Sequence, residues 1–295
     1  MLEHLNAEPI EPRRVVVLGS GGFVGGATVS RLEACGISVL GLSRTDVDLL
    51  SMDADDVLCE KLRPDDTLVV VAALAPCKTN QMLVENLCMM DRVCMALQRA
   101  PVGHVVYISS DAVYRDALVP LTEESCAEPG SLHGAMHLAR EVMLKGACEA
   151  RLAILRPSLL YGATDPHNGY GPNRFRRLAA KHKTISLFGE GEERRDHVFI
   201  DDLAEIVRLT VVHKSTGVLN VATGSTASFR EIAEMVASLF DPPAAIQGTQ
   251  RQGPMPHGGY RPFDIDVCRN VYPEFRYTTL AEGLAKVHRD AAAQR

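Results

Sequence analysis

Three glycines, Gly19, Gly22 and Gly25, follow the apolar, β-branched run Arg14–Leu18 and open a helical stretch from about Phe23 to Cys35, stopped at Gly36. A strand that turns through glycines into a helix gathers free backbone N–H groups and the positive helix end at one point. That is a cradle for a pyrophosphate. The glycines let the backbone approach the phosphates and let the helix pack on the strand. The spacing is G-x-x-G-x-x-G rather than G-x-G-x-x-G, and the strand before and helix after give it its meaning.

The next chemistry is at the adenosine ribose. The second strand, Ser38–Leu42, runs into Ser43 and Arg44. A dinucleotide site that takes NAD usually places an acid here for the ribose hydroxyls. A hydroxyl and a guanidinium suit a 2′-phosphate better. NADP(H) is therefore the favoured cofactor and NAD(H) stays open. Arg44 either reads that phosphate or lies solvated in its loop. Asp48 and Leu49 follow where the adenine amino group can be met.

The elements that must position these groups alternate in the first half. After the second strand, Asp53 can cap a short helix ending near Arg63 and Pro64. A strand over Thr67–Ala72 follows, then a helix over Gln81–Arg99 that is apolar on all sides. A strand over His104–Ile108, a helix over Leu132–Ala150, and a strand around Ala153–Leu155 closed by Arg156 and Pro157 complete the half. Such alternation means βαβ units and a parallel sheet.

Pro166, Gly169, Gly171 and Pro172 mark a lobe boundary. Beyond it come a strand over Val198–Ile200 and a helix capped by Asp201 or Asp202 and running to His213. A capping box at Ser228 and Glu231 opens a helix to Phe240. Pro242–Tyr260 reads as loop, and a last helix spans about Thr279–Arg289. The expected fold is α/β, a Rossmann-type doubly wound parallel sheet with a smaller C-terminal substrate lobe. The expected division is a tail over 1–12, a dinucleotide-binding domain over 13–165 rejoined by about 193–222, and a substrate lobe over 166–192 and 223–295.

Composition narrows the partners. The chain has 295 residues, 46% hydrophobic and 23% charged, with a formal net charge of -6. That average field attracts neither nucleic acid nor an anionic membrane. The first twelve residues carry Glu3, Glu8 and Glu11 and no apolar core, unlike a signal peptide. The longest apolar run, Leu68–Pro76, is far short of the roughly 20 residues that cross a bilayer. The eight cysteines are scattered without a Cys-x-x-Cys pair, as expected of reduced thiols in a cytoplasmic protein with no disulfide or zinc framework.

Taken with motifs downstream, the chain resembles the extended short-chain dehydrogenase/reductases that act on nucleotide sugars. The motifs are the glycine turn, Val71–Ala73, Ile108–Tyr114, Leu155–Gly162, Arg194–Leu203 and Asn220–Gly224. They cover nearly the whole chain and specify the superfamily more than the reaction. The resemblance implies a dinucleotide held by Gly19, Gly22, Phe23, Val24, Gly25, Ala72, Ala73 and Pro157. It implies that Ser110 hydrogen-bonds the reacting hydroxyl or carbonyl. It also implies that Arg195 and Arg261 clamp the substrate's diphosphate, with Asn173 touching the same ligand. The stretch after strand two looks most like the NADP-using reductases and epimerase-reductases of the group.

The resemblance breaks at its catalytic centre. The family carries Tyr-x-x-x-Lys on the helix after strand four. None of the tyrosines at 107, 114, 161, 170, 260, 272 and 277 has a lysine four residues on. In the matching register His133 stands for the tyrosine and His137 for the lysine. An imidazole transfers protons near neutrality, and residues at i and i+4 share a helix face. Three readings stay open. His133 is a substitute acid/base, acting in reduction as imidazolium, with His137 on the nicotinamide ribose. Other groups, such as Ser110 with Asp111, carry the chemistry. Or the fold binds nucleotide and does little redox work. Ala112 after Asp111 lacks the second carboxylate of the family's 4,6-dehydratases, which counts against that reaction. No metal is expected.

The activity this implies is NADP(H)-dependent reduction or epimerisation of a nucleotide-linked keto sugar. The alternatives are an NAD-retaining sugar-nucleotide epimerase and a catalytically weak cofactor-binding regulator. The helices over 81–99 and 132–150 are expected to pair with their copies in a homodimer, as in the family.

Overall fold

In the computed structural model, residues 1–117, 119–148 and 151–293 are described. The strands are β1 (Val15–Leu18), β2 (Val39–Leu42), β3 (Thr67–Val70), β4 (His104–Ile108), β5 (Leu152–Pro157) and β6 (Leu159–Tyr161), followed by β7 (Ile185–Phe188), β8 (Arg194–Phe199), β9 (Gly217–Val221), β10 (Thr226–Ser228), β11 (Ile246–Thr249) and β12 (Tyr260–Arg261). The helices are α1 (Phe23–Ala34), α2 (Ala54–Lys61), α3 (Asn80–Arg99), α4 (Leu132–Cys148), α5 (Pro172–Ala179), α6 (Ile200–Val212), α7 (Phe229–Ala237), α8 (Asp266–Val271) and α9 (Leu280–Ala293). The helix expected over 132–150 thus runs to Cys148; its last two residues lie outside the described ones.

The main sheet has the order β2-β1-β3-β4-β5-β9, with every neighbour parallel. Alternation along the strands divides the core. Val15 and Val17 of β1 join the α1 and α6 side; Val16 and Leu18 join the side of α2, α3 and α4. Both faces are covered, so the strands are near-continuous aliphatic runs. The sheet is doubly wound, a Rossmann-like fold. Strand carboxyl ends, where open α/β sheets bind their ligands, then meet the glycine turn and the loop after β4.

A smaller sheet pairs β8 with β10, β6 and β12, and a separate pair joins β7 to β11. Here the structure departs from the sequence reading. β8 starts at Arg194 rather than Val198 and lies in the small sheet; α6 and β9 are what rejoin the main sheet. The charged start of β8 hides its strand character. Asp196 is buried yet satisfied by Thr223 and Ser158. Arg194 bonds Glu231 and the Thr226 carbonyl. The segment 242–260, expected as loop, contains β11.

The capping box at Ser228 and Glu231 is present. Asp53 stands at the N-terminus of α2 without capping it, and neither Asp201 nor Asp202 caps α6. Asp202 instead accepts from the Thr278 backbone and hydroxyl at 2.9 and 2.8 Å, tying α6 to the approach to α9. Residues 1–12 do not trail free either. Leu2 is buried, Glu3 pairs with Thr216, and His4 bonds both Ser215 and the Val271 carbonyl.

Candidate active site

The glycine turn packs backbone against backbone and could cradle a phosphate. Gly19 has φ +97°, and a Cβ there would meet the Ala72 backbone at 2.7 Å. A Cβ on Gly25 would lie 2.1 Å from the Gly19 carbonyl oxygen, so α1 and the turn pack backbone to backbone. Gly22 is exposed and no side chain caps the N-terminus of α1. No acid occupies the first turn of α1. The first N–H groups are thus left for an anion, which fits the pyrophosphate of a dinucleotide.

At the end of β2, Ser43 is turned inward on its own loop. Its N–H and hydroxyl both donate to Asp46, at 2.8 and 2.6 Å. The hydrogen bonds from Ser43 hold the Asp46 carboxyl below its usual range. Arg44 is largely exposed and stands 3.6 Å from Asp48. Asp46, which the sequence reading passed over, therefore puts a carboxylate beside the position where an NAD site would have one.

The end of β4 carries Ser110 and Asp111, and α4 brings His133 and His137 to it. Gly134 makes this approach possible: a Cβ there would lie 1.9 Å from the Ala112 carbonyl oxygen. His133 and His137 meet edge to face, ring centroids 4.7 Å apart. Nδ1 of His133 accepts from the Cys77 N–H at 3.4 Å. Nδ1 of His137 is 2.8 Å from the Tyr107 hydroxyl. Burial pushes His133 below the ordinary imidazole value, against the pull of Asp111. Burial, with His133 and Arg140 beside it, pushes His137 well below. Both shifts favour the neutral imidazole over the imidazolium that a reductase's acid requires.

Ser110 accepts from the Ala112 N–H at 3.1 Å and lies 3.4 Å from Asp111. Asp111 is no free acid: Nε of Arg261 donates to its Oδ2 at 2.9 Å, and Nη2 to its backbone carbonyl at 2.7 Å. Nη1 of Arg261 reaches Asp116 at 2.6 Å. Arg195 comes within 4.0 Å of the same Asp111 oxygen and bonds Glu193 at 3.2 Å. The two arginines expected as a clamp thus converge on the loop after β4. They are not paired with Asp196 or Asp201. Asn173, at the start of α5, accepts from the Gly162 N–H and donates to Asp165.

The floor of the site is a buried network. Glu141 on α4 accepts from Ser109 at 2.6 Å and from Arg156 through two bonds at 2.9 and 2.6 Å. Arg156 donates to Tyr114, and Tyr114 to Asn220, at 2.8 and 2.7 Å. Asn86 of α3 clasps Leu74 through both its backbone groups and so holds the loop that carries Cys77. Sequence reading missed Cys77, Asn86, Tyr107 and Glu141. The one signal available was a polar side chain, Asn86 or Glu141, inside an otherwise apolar helical face.

The family described as "NAD dependent epimerase/dehydratase family" matches residues 15–222. A UDP-glucose 4-epimerase of Mycolicibacterium smegmatis is 26% identical over 92% of this chain and 96% of its own. A dTDP-L-rhamnose 4-epimerase of Burkholderia thailandensis is 23% identical over 87% and 89%. Among solved structures, MoeE5 in complex with UDP-glucuronic acid and NAD superposes with a TM-score of 0.81 at 25% identity, over 94% of this chain and all but 1% of that one (99%). A GDP-L-fucose synthetase from Naegleria fowleri bound to NADP reaches 0.85 at 17% identity, over 97% and 96%. No helix among the described residues is long and apolar enough to cross a membrane.

Proposed function

Because the chain belongs to the NAD-dependent epimerase/dehydratase family of extended short-chain dehydrogenase/reductases, we propose that it reduces or epimerises a nucleotide-linked sugar with NADP(H). One observation carries the reading: Ser110, His133, Arg195 and Arg261 gather around Asp111, beyond the carboxyl end of β4. The bound dinucleotide would supply or take the hydride. This chain's residues would do the rest. Ser110 hydrogen-bonds the carbinol or carbonyl oxygen. Arg195, with Arg261, meets the diphosphate. His133 exchanges the proton at the reacting oxygen, and His137 meets the nicotinamide ribose.

The lowered pKa of His133 favours a second form of the same reading. A neutral imidazole, once Nδ1 is released from the Cys77 N–H, is suited to receiving the proton of an alcohol, the first half of an epimerisation through a transient keto sugar. Cofactor choice rests on Arg44, against which stands the carboxylate of Asp46.

Turnover is the test. A UDP- or dTDP-linked 4-keto sugar with NADPH, and the parent hexose nucleotides with NAD+, should distinguish reduction from epimerisation. His133→Phe should abolish either while leaving dinucleotide affinity intact. Turnover like that of wild type in this variant would place the proton transfer elsewhere.

The exposed Val84 on α3 and Val142 on α4 support a homodimer through these two helices, which pack side by side. Light scattering at micromolar concentration should give twice the 32.1 kDa chain mass; a monomer would remove this part of the proposal.

A further inference from the structure

Val105 and Tyr107 of β4 face the α3–α4 layer, while Val106 and Ile108 face the other. Tyr107 has no exposed surface. The Arg140 guanidinium lies 5.4 Å from its ring centre, and Arg140 in turn donates to the Ala72 carbonyl beside the glycine turn at 2.7 Å. A phenylalanine would fill the same space. The hydroxyl is the atom that needs a reason, since a buried O–H without a partner is costly. Its partner among the described residues is Nδ1 of His137, at 2.8 Å.

Two neutral groups meet here. The phenol has one proton and, among the described residues, no second acceptor in reach, so donating to Nδ1 satisfies it. The reverse arrangement would leave that proton unpaired in the core. The proton of His137 is then on Nε2. A lysine in this position would offer three rotatable donors; a histidine offers one, aimed by its ring. It therefore needs another residue to fix both tautomer and ring angle. We infer that Tyr107 is that positioning residue, holding His137 so that Nε2–H is the donor presented to the nicotinamide ribose. The inference rests on the reading of His137 as a ribose contact given above. The ring also meets His133 edge to face, centroids 4.7 Å apart.

The test uses the full-length protein labelled with 15N-histidine, with His137→Ala to assign the resonances. Long-range 1H–15N spectra of the wild type without dinucleotide should show His137 protonated on Nε2 and a hydrogen-bonded, unprotonated Nδ1. In Tyr107→Phe that Nδ1 should move to the position of an unbonded nitrogen. Calorimetry with NADP+ and NAD+ should show affinity lower by about fivefold, the weight of one net hydrogen bond. Tyr107→Phe placed on His137→Ala should change nothing further. An Nδ1–H tautomer in the wild type overturns the inference, and that spectrum decides even where the variant does not fold. So does wild-type affinity in Tyr107→Phe when His137→Ala binds weakly. Wild-type affinity in His137→Ala itself removes the ribose reading instead, and the functional half of the inference with it.

Discussion

The backbone N–H of Cys77, on the loop after β3, points at Nδ1 of His133 on α4, 3.4 Å away. This contact fixes which nitrogen of His133 can carry a proton. With Nδ1 accepting, the neutral ring holds its proton on Nε2. In this tautomer Nε2 is already protonated, so His133 can take a proton from an alcohol only at Nδ1, or at Nε2 once its own proton has passed to Nδ1; either sets an Nδ1–H against the Cys77 N–H. Its length puts it at the weak end of hydrogen bonds, so proton uptake needs a small movement of the 75–79 loop rather than unfolding.

The pH dependence follows, with its sign. Burial lowers the His133 pKa beneath the usual value of about 6.5. Keto-sugar reduction that draws its proton from His133 needs the charged ring, so its rate should fall as pH rises through that lowered pKa. It should already be slow at neutral pH. Alcohol oxidation needs the neutral ring, so it should be at full rate above pH 6.5 and lost on acidification. Initial rates in both directions between pH 5 and 9 check this. A reduction rate that stays flat to pH 9 would exclude His133 as the acid.

Arg44 projects into solvent with Asp48 as its neighbour. Wild-type protein should bind NADPH more tightly than NADH by calorimetry. Arg44→Ala should remove the difference by weakening NADPH alone. Equal affinities in the wild type would mean that the Asp46 carboxylate, bonded to Ser43, sets the ribose pocket instead.

Arg195 and Arg261 should separate in their effects. Arg195→Ala should weaken a nucleotide-diphosphate sugar by about 1.5–3 kcal/mol, the range for a hydrogen bond to a charged group, and leave the free nucleoside unaffected. Arg261 is also the partner of a buried carboxylate. Arg261→Ala should therefore lower thermal stability as well, by about 3–5 kcal/mol, the range for breaking a buried ion pair. Wild-type ligand affinity in both variants would remove the diphosphate clamp.

Gly134 is the contact point of α4 with the loop after β4. Gly134→Ala should cost about 1–3 kcal/mol, because a methyl group 1.9 Å from a carbonyl oxygen forces the two backbones apart. Turnover should fall more than dinucleotide affinity, since His133 moves and the glycine turn does not. A variant with unchanged melting temperature and kcat would show that the approach is looser than this packing implies.

Local interactions explain what the sequence alone determined. The glycine turn was legible because its parts lie within one strand, one turn and the start of one helix, and sterics at Gly19 and Gly25 act over a few residues. The face shared by His133 and His137 was legible from the helical period. Five of the six parallel strands were legible from aliphatic runs that both faces of the sheet require; β9, the edge strand beside β5, was not read as a strand. The tertiary structure decided what depends on residues far apart in the chain. Arg261 finds Asp111 across 150 positions, Cys77 finds His133 across 56, and Tyr107 finds His137 across 30. No period or propensity encodes such meetings; packing of the layers creates them. The charge states belong to the same class. His133 is ordinary as a residue type; its pKa falls because burial between α4, the β3 loop and the end of β4 takes water away from it, and one backbone N–H at Nδ1 selects its tautomer.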